Sequence, residues 1–197
     1  MYEYRKLSPQ QQAEIVQQRL AKGYPPHSPP HPIKNQEYYL LTASCYEHKN
    51  RLNSSQRRQE LLNLLFENLT IHNLEIIAWI ILPNHYHLLA KNIKFICLSQ
   101  QLRLIHGRLA RQWNLEDNLS GKVWHSFSDR AIRSERHYYT TLNYIHYNPV
   151  KHSWVKSPYD WKESSVHWYF QDKGREWLRN CWVEYPVKDY GKGWDEN

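Results

Sequence analysis

The sequence predicts an α+β protein, with a mostly antiparallel sheet and helices packed on one side of it. Segments rich in β-forming residues alternate with segments of helical spacing, in the order β-α-β-β-α-β-α. The 197 residues, 41% of them hydrophobic, are enough for one domain with its own core. The three cysteines are too scattered to form a disulfide framework or a CxxC metal site, so the core must form without such staples.

A short helix over residues 8–22 is predicted to come first. Ser8 is its N-cap, Pro9 suits the first helical position, Gln11 completes a capping box and Gly23 ends the helix. Its narrow apolar stripe consists of Ile15, Val16 and Leu20. Five prolines in the next ten residues predict a stiff linker that ends near Ile33. We therefore divide the chain into residues 1–34 (helix and linker), 35–170 (main domain) and 171–197 (C-terminal extension).

The main domain begins with alternating strands and helices. Residues rich in β-formers predict strands over residues 37–47, 74–82 and 85–90. Apolar residues at helical spacing predict helices over residues 54–70 and 98–113.

A hairpin or short edge strand is predicted next, from residues 122–127 and 131–132. Ser134 then caps a third helix that runs to about Tyr147, and Pro149 stops it because the residue before proline avoids the α region. Beyond Trp154 the chain is aromatic and irregular in pattern, and no element is assigned.

The charge of the chain indicates a polyanionic partner. The formal net charge is +7, the pI is about 9.2, and aromatic residues make up 14% of the chain. Aromatic faces combined with Lys and Arg are how proteins hold unpaired bases, although an aromatic core on a basic surface has the same composition. No apolar run is long enough to cross a bilayer and the N-terminus lacks an apolar signal region, so we expect a cytoplasmic location.

Two histidines in the segment LPNHYHLL form the first candidate constellation. His85 and His87 occupy alternate positions of a predicted strand, so both point to one face while Tyr86 points to the other. Two imidazoles on one rigid face make half of a site for a divalent metal. The alternative is that both are ordinary strand residues, since HxH alone is a weak signal.

The second constellation lies in LNYIHYNPVKH. Tyr144 and Asn148 are four residues apart, so they share one face of the third helix. Tyr144 has a nucleophilic phenol to offer, and Asn148 an amide oxygen for the same metal. The alternative is a core tyrosine and a C-capping asparagine.

Taken together, these segments resemble the REP-associated tyrosine transposases, within the single-tyrosine HUH transposases. The resemblance spans residues 38–169 and is strongest at WIILPNHYHLL, VWHSFSDRAIRSERHYYTTLNYIHYNPVKHSWV and SSVHWY. A PNHxH strand, an IR dipeptide and a YIxxNPVK helix occur in the order that is typical of this family.

The resemblance implies a ferredoxin-like or RRM-like HUH nuclease core. It implies that His85 and His87 are the HUH pair, that Tyr144 is the nucleophile, and that Asn148 completes the site of a Mg²⁺ or Mn²⁺ ion. The expected activity is cleavage and rejoining of single-stranded DNA at or near hairpins, through a 5′-phosphotyrosine intermediate. The chain departs from the pattern at Tyr86, which occupies the middle of the HUH motif, and before residue 35, where nothing matches.

Basic residues on the second helix and flanking the third are the predicted phosphate contacts. They are Arg103, Arg108, Arg111, Arg130, Arg133, Arg136 and Lys151. His125 and Asp129, just before the IR dipeptide, are candidates for a base or an orienting group. A monomer and a homodimer are both compatible with the sequence.

Three other functions stay open from the sequence. A non-catalytic DNA-hairpin-binding protein would keep the fold without cleaving DNA. An RRM-like RNA-binding module would stack bases on strand aromatics, here Tyr38, Tyr39, Tyr46 and Tyr86. The sequence, however, lacks the glycine-and-aromatic signature of such modules. A metal-dependent hydrolase would use water in place of tyrosine.

Overall fold

The computed structural model describes residues 7–21 and 36–192. Helix α1, Pro9–Ala21, lies in a unit made of the first 35 and last six residues, and residues 36–191 form the second unit. The predicted capping box is confirmed, because the Ser8 amide donates to Gln11 Oε1 at 2.9 Å and the Gln11 amide donates to Ser8 Oγ at 3.3 Å. The predicted stop at Gly23, the proline-rich linker and the side chains of the apolar stripe lie outside the described residues.

A four-stranded sheet forms the centre of the second unit. Its strands are β1 (Tyr38–Ser44), β2 (Glu75–Ile81), β3 (His85–Lys91) and β4 (Ser128–Ala131). They are ordered β2-β3-β1-β4, and every neighbouring pair is antiparallel. The predicted α+β class and the predicted order of elements are therefore confirmed.

Four longer helices belong to this unit. They are α2 (Ser55–Thr70), α3 (Phe95–Glu116), α4 (Glu135–Lys151) and α5 (Val166–Glu184). The side chains of Ser54 and Ser134 accept hydrogen bonds from backbone amides of the first turns of α2 and α4, so each serine fixes the start of its helix. Short 3₁₀ turns lie at Tyr46–His48 and Pro158–Asp160.

Helices cover both faces of the sheet, so the prediction that they lie on one side is wrong. On one face of β3, Tyr86 Oη lies 3.1 Å from Nε2 of His106 on α3. On the other face, His87 Nε2 lies 3.3 Å from Oη of Tyr144 on α4. The reason is that six successive residues of β3 are buried, and a strand that is buried on both sides needs cover on both sides.

Of the two predictions for residues 122–127 and 131–132, the hairpin is wrong and the short edge strand is confirmed with shifted bounds. Only Ser128–Ala131 forms a strand there, at the edge of the sheet beside β1, and Trp124 makes a single bridge with Cys45. Trp124 instead stacks on His106, with ring centroids 4.2 Å apart. The Trp124 side chain therefore packs against His106 of α3, and the pairing of this segment with β1 is limited to the single bridge at Cys45.

Helix α4 does not stop before Pro149 but continues to Lys151 with this proline inside it. Proline removes one amide donor, and the turn is closed by the next donors: the His152 amide bonds to Asn148 O at 3.0 Å and the Trp154 amide to Pro149 O at 2.9 Å. Burial of Pro149 and Asn148 against the sheet offsets the local steric cost.

Helix α5 lies where no element was predicted. Two helical stretches meet at Gly174, whose φ of 83° favours glycine. The predicted division after residue 170 falls inside this helix. The side-chain amide of Asn143 on α4 donates to the carbonyls of Cys181 and Tyr185, so the end of α5 packs within the same unit as the site described below. No helix among the described residues is long and apolar enough to cross a membrane.

Candidate active site

The two histidines of β3 form the floor of a buried polar site. His85 and His87 project from the same face of the strand, and their ring centroids are 4.9 Å apart. The exposed fractions are 2% for His85 and 0% for His87. Strand periodicity thus brings the two imidazoles together as the sequence predicts.

Helix α4 lies across this face and brings the other two predicted residues to the histidines. Asn148 Oδ1 lies 3.2 Å from His85 Nε2, and Tyr144 Oη lies 3.3 Å from His87 Nε2. Because one helical turn separates Tyr144 from Asn148, each meets a different histidine of the strand below. All four predicted residues therefore converge, each through a nitrogen or oxygen atom.

Two polar residues that the sequence analysis did not assign hold the far sides of the imidazoles. Asn84 Oδ1 lies 2.7 Å from His85 Nδ1, and Thr42 Oγ1 lies 2.8 Å from His87 Nδ1. Thr42 on β1 is the direct antiparallel partner of His87. The sequence held a signal for Asn84, which precedes His85 in the PNHYH run, whereas Thr42 required the strand register.

The chain itself covers the ring of Tyr144, which has an exposed fraction of 0%. The ring of Tyr190 lies 5.5 Å away, edge to face. Gly191 packs so closely that an added Cβ would lie 2.3 Å from Tyr144 Cε2. Gly191 O accepts a hydrogen bond of 2.8 Å from Lys151 Nζ. We call residues 187–191 the cover.

Hydrogen bonds to α4 hold the cover in place. Tyr190 Oη lies 2.6 Å from Thr141 Oγ1 and 3.0 Å from His137 Nε2. Burial raises the pKa of Tyr190, while the Thr141 hydrogen bond and the charge of Arg130 act in the opposite direction. Tyr190 therefore stays a neutral phenol near pH 7, and nothing in the local sequence indicates that it reaches Tyr144.

Two of the seven predicted phosphate-binding residues lie at the proposed nucleophile. Lys151 Nζ is 5.2 Å from the centroid of the Tyr144 ring. The Arg130 guanidinium interacts electrostatically with the phenols of Tyr144 and Tyr190. Arg133 and Arg136 are exposed at the start of α4. The remaining three, Arg103, Arg108 and Arg111, are exposed on α3, which covers the opposite face of the sheet.

The donor set can be tested against a divalent cation. The described residues contain no group of three His, Cys, Asp or Glu side chains arranged to hold a metal, so a metal here depends on the amide of Asn148. Asn148 Nδ2 is buried without a hydrogen-bond partner, while Oδ1 faces His85. Two imidazoles and one amide oxygen, without thiolate, are ligands that can hold a divalent cation.

The strand aromatics do not form an open surface for bases. Tyr39 and Tyr86 are buried, with exposed fractions of 4% and 1%. The ring of Tyr38 contacts that of Tyr138 at 5.0 Å, edge to face. Because helices cover both faces of the sheet, the RRM-like mode of stacking RNA bases on strand aromatics is not supported.

Comparison with known proteins finds similarity to transposases. No family model matches the chain. The chain is 33% identical over 97 residues to the REP-associated tyrosine transposase of Escherichia coli K12, a match that covers 47% of this chain and 54% of that protein. It is also 33% identical over 104 residues to a Haemophilus influenzae protein that provisionally carries the same name, covering 47% of this chain and 59% of the relative.

A solved structure extends the likeness to the fold. The REP-associated tyrosine transposase bound to a REP hairpin superposes with a TM-score of 0.57 and 27% sequence identity, over 71% of this chain and 83% of that one. The chain is thus similar in sequence and in fold to REP-associated tyrosine transposases. The resemblance seen in the sequence is thereby confirmed, as is the α+β fold. The chain spans just over half the length of the two curated transposases that it matches, at 54% and 59%.

Proposed function

We propose that this protein is a metal-dependent endonuclease and strand transferase that cuts single-stranded DNA at or near a hairpin. The observation that carries the proposal is the convergence of Tyr144 Oη, Asn148 Oδ1 and the Nε2 atoms of His85 and His87 on one buried face. A phenol beside three potential ligands is the arrangement that a tyrosine nuclease needs. The transposase relatives support the same reaction class.

The reaction would exchange one phosphodiester bond for another. Tyr144 Oη attacks the scissile phosphorus, a bond forms between them, and the bond from phosphorus to the 3′ oxygen breaks. The phenol loses its proton and the leaving 3′ oxygen gains one, so the products are a 5′-phosphotyrosine and a free 3′-hydroxyl. A second 3′-hydroxyl reverses the exchange and joins two strands, which is the chemistry of transposition.

The residues around Tyr144 would assist this exchange by charge. A phenol has an ordinary pKa of about 10, so attack near pH 7 requires a neighbouring positive charge to favour its deprotonation. Lys151 and Arg130 are the cations that the structure brings to Tyr144. A Mg²⁺ or Mn²⁺ ion held by His85, His87 and Asn148 would polarise the phosphate and stabilise the leaving oxygen.

A hairpin is the proposed partner because one transposase relative is bound to a REP hairpin. Arg133 and Arg136, exposed at the start of α4, are placed for phosphate contacts near the nucleophile. The arginines of α3 lie on the other face, so in this proposal they contact duplex DNA away from the cleavage point. Raising salt should weaken hairpin binding, since phosphate contacts release counterions.

The cover must move before DNA reaches Tyr144. In-line attack requires the phosphate within about 3.5 Å of the phenol oxygen. Tyr190 and Gly191 now pack against the Tyr144 ring. Displacement of residues 187–191 is therefore a step of the proposed reaction that precedes chemistry.

The test is a covalent adduct. End-labelled single-stranded DNA carrying hairpins from around the gene is incubated with the protein and Mn²⁺, and a labelled band is sought on a denaturing protein gel. We expect a band that is lost in Tyr144→Phe and with a chelator, and kept in Tyr147→Phe, the matched control three residues along the same helix. A band that persists in Tyr144→Phe would falsify the assignment of the nucleophile.

A second candidate function is hairpin binding without cleavage. The observation that favours it is the complete burial of Tyr144 beneath the cover. A retarded complex on a native gel, without an adduct at any Mn²⁺ or Mg²⁺ concentration, would support this function. Cleaved DNA without an adduct would instead indicate a hydrolase that uses water.

A further inference from the structure

Each histidine of the site has one ring nitrogen held by a neighbouring side chain and the other directed at α4. His85 Nδ1 meets Asn84 Oδ1 at 2.7 Å, and His87 Nδ1 meets Thr42 Oγ1 at 2.8 Å. The Nε2 atoms meet Asn148 at 3.2 Å and Tyr144 at 3.3 Å. Because a neutral imidazole carries only one proton, its position decides which nitrogen has a lone pair for a cation.

The position of the proton on His85 follows from a chain of hydrogen bonds. Asn84 Nδ2 donates to the backbone carbonyl of His48 at 3.3 Å. A carbonyl can only accept, so the amide nitrogen of Asn84 faces His48 and its oxygen faces His85. An amide oxygen can only accept as well, so His85 Nδ1 carries the proton. The lone pair is therefore on Nε2, which faces Asn148.

His87 has the same arrangement through a different side chain. Thr42 is fixed beside it by the β1–β3 register, and its hydroxyl can accept the Nδ1 proton. His87 Nε2 would then present its lone pair, which can accept from the Tyr144 hydroxyl 3.3 Å away. With this tautomer, both imidazoles direct lone pairs to the same side of β3.

Asn148 completes this arrangement. Asn148 Oδ1 and His85 Nε2 are two acceptors that lie 3.2 Å apart, and Asn148 Nδ2 has no hydrogen-bond partner. A cation between the two acceptors would stabilise this arrangement. Turning the amide over would let Nδ2 donate to Nε2 instead. One side chain can therefore serve the metal-free and the metal-bound site.

We propose that Asn84 and Thr42 are positioning residues, which keep the protons of His85 and His87 on Nδ1 and thereby present both Nε2 atoms to a divalent cation. The proposal rests on the metal site of the proposed function. Outer partners of metal-binding histidines commonly contribute about 10- to 100-fold in metal affinity. Neither residue touches the DNA or the cation in this proposal.

The test uses two matched pairs of variants in the full chain. Asn84→Leu removes the acceptor and Asn84→Asp restores one, while Thr42→Val removes the hydroxyl and Thr42→Ser restores it. Nitrogen-15 NMR of the imidazoles in the metal-free protein reports which nitrogen is protonated. Titration with Mn²⁺ alone, followed by electron paramagnetic resonance, reports affinity without DNA, and circular dichroism checks that each variant is folded.

We expect protonated Nδ1 at both histidines in the native protein, and Mn²⁺ affinity about 10- to 100-fold lower in Asn84→Leu and Thr42→Val. Asn84→Asp and Thr42→Ser should bind within about threefold of the native protein, well inside that range. Native affinity in Asn84→Leu and Thr42→Val, or protonated Nε2 in the native protein, would overturn the proposal.

The outcome separates this proposal from the proposed function. Native protein that binds no Mn²⁺ overturns the positioning role together with the metal site. The expected tautomers and affinity changes in a protein that forms no DNA adduct would sustain the positioning role and remove the nuclease. If the native protein forms the DNA adduct but all four variants keep the native Mn²⁺ affinity, the nuclease is sustained and the positioning role is overturned.

Discussion

On each face of strand β3, one residue of the strand and one residue of a helix form a tyrosine–histidine pair. The two pairs differ in their surroundings more than in their geometry. On one face His87 Nε2 lies 3.3 Å from Tyr144 Oη. On the other, Tyr86 Oη lies 3.1 Å from His106 Nε2. All four side chains are buried. Distance and burial alone would assign both pairs the same role.

The neighbours separate the two pairs. Trp124 stacks on His106 and contacts Tyr86 and Trp113, so the second pair lies in an aromatic pocket. Burial there raises the pKa of Tyr86 well above its usual range and lowers that of His106 to about 3. The first pair has a second histidine, an amide oxygen and two cations around it. The comparison teaches that convergence of lone pairs and positive charge, rather than the pair itself, indicates chemistry.

The largest expected effect comes from removing the two phenol oxygens separately. Tyr144→Phe should lower the rate of adduct formation by more than about 1000-fold, because the nucleophile is gone. Tyr86→Phe should leave that rate unchanged and cost about 1–2 kcal/mol of unfolding free energy, because His106 Nε2 loses its partner. Adduct assays and urea melts measure the two quantities. Equal loss of adduct in both variants would contradict the division into a catalytic and a structural pair.

Low pH should lower the free energy of unfolding through buried histidines such as His106, which pairs with Tyr86. Burial lowers the pKa of His106, and of His146 on α4, from 6.5 to about 3. Because the folded pKa lies below the unfolded value, the unfolded chain binds more protons between pH 6.5 and 3. The stabilisation is fully present above pH 6.5, and each histidine should lower the unfolding free energy by about 1.4 kcal/mol per unit as the pH falls through this window.

Urea melts at a series of pH values check this expectation. His106→Leu should reduce the slope of unfolding free energy against pH by about 1.4 kcal/mol per unit below pH 6.5. The half-buried His72, which lies outside both clusters, offers the control variant His72→Leu. An unchanged slope in His106→Leu would show that this imidazole is not held neutral by the fold.

The buried amide of Asn148 should lower the free energy of unfolding, because its Nδ2 has no hydrogen-bond partner. Asn148→Leu replaces the buried amide with an apolar side chain of similar volume, and it removes an Nδ2 that has no partner. We expect the unfolding free energy to stay equal or rise by about 1 kcal/mol. Mn²⁺ affinity should fall by about 10- to 100-fold, since one of three ligands is lost. Calorimetric titration and thermal melts, with Asn143→Leu as the control that breaks structural hydrogen bonds, distinguish this outcome from general damage.

The sequence was sufficient for the parts of the site that depend on local periodicity. HxH on a strand and YxxxN on a helix each place two side chains on one face whatever the rest of the fold does, and the structure brings these two faces together. The predicted capping residues Ser8 and Ser134 follow equally local rules.

The failures of prediction arose where distant contacts decide the structure. Pro149 was expected to end α4, but packing against the sheet keeps the helix going to Lys151. The alternating residues around Trp124 suggested a strand, yet that ring fills the pocket of His106. Tyr190 reaches Tyr144 from 46 residues away, and Thr42 reaches His87 through strand pairing. No short-range pattern contains such contacts.

The smallest expected effect concerns the cover, which packs against Tyr144. Tyr190→Phe keeps the ring over Tyr144 but removes the hydroxyl that bonds to Thr141 and His137. Loss of about 1 kcal/mol of hydrogen bonding should favour the open cover and raise the rate of adduct formation by about 3- to 10-fold. Tyr185→Phe, which removes a hydroxyl just before the cover, should leave the rate unchanged. A Tyr190→Phe rate at or below that of the native protein would mean that DNA reaches Tyr144 without displacing Tyr190, and the burial of the nucleophile would then need another route of access.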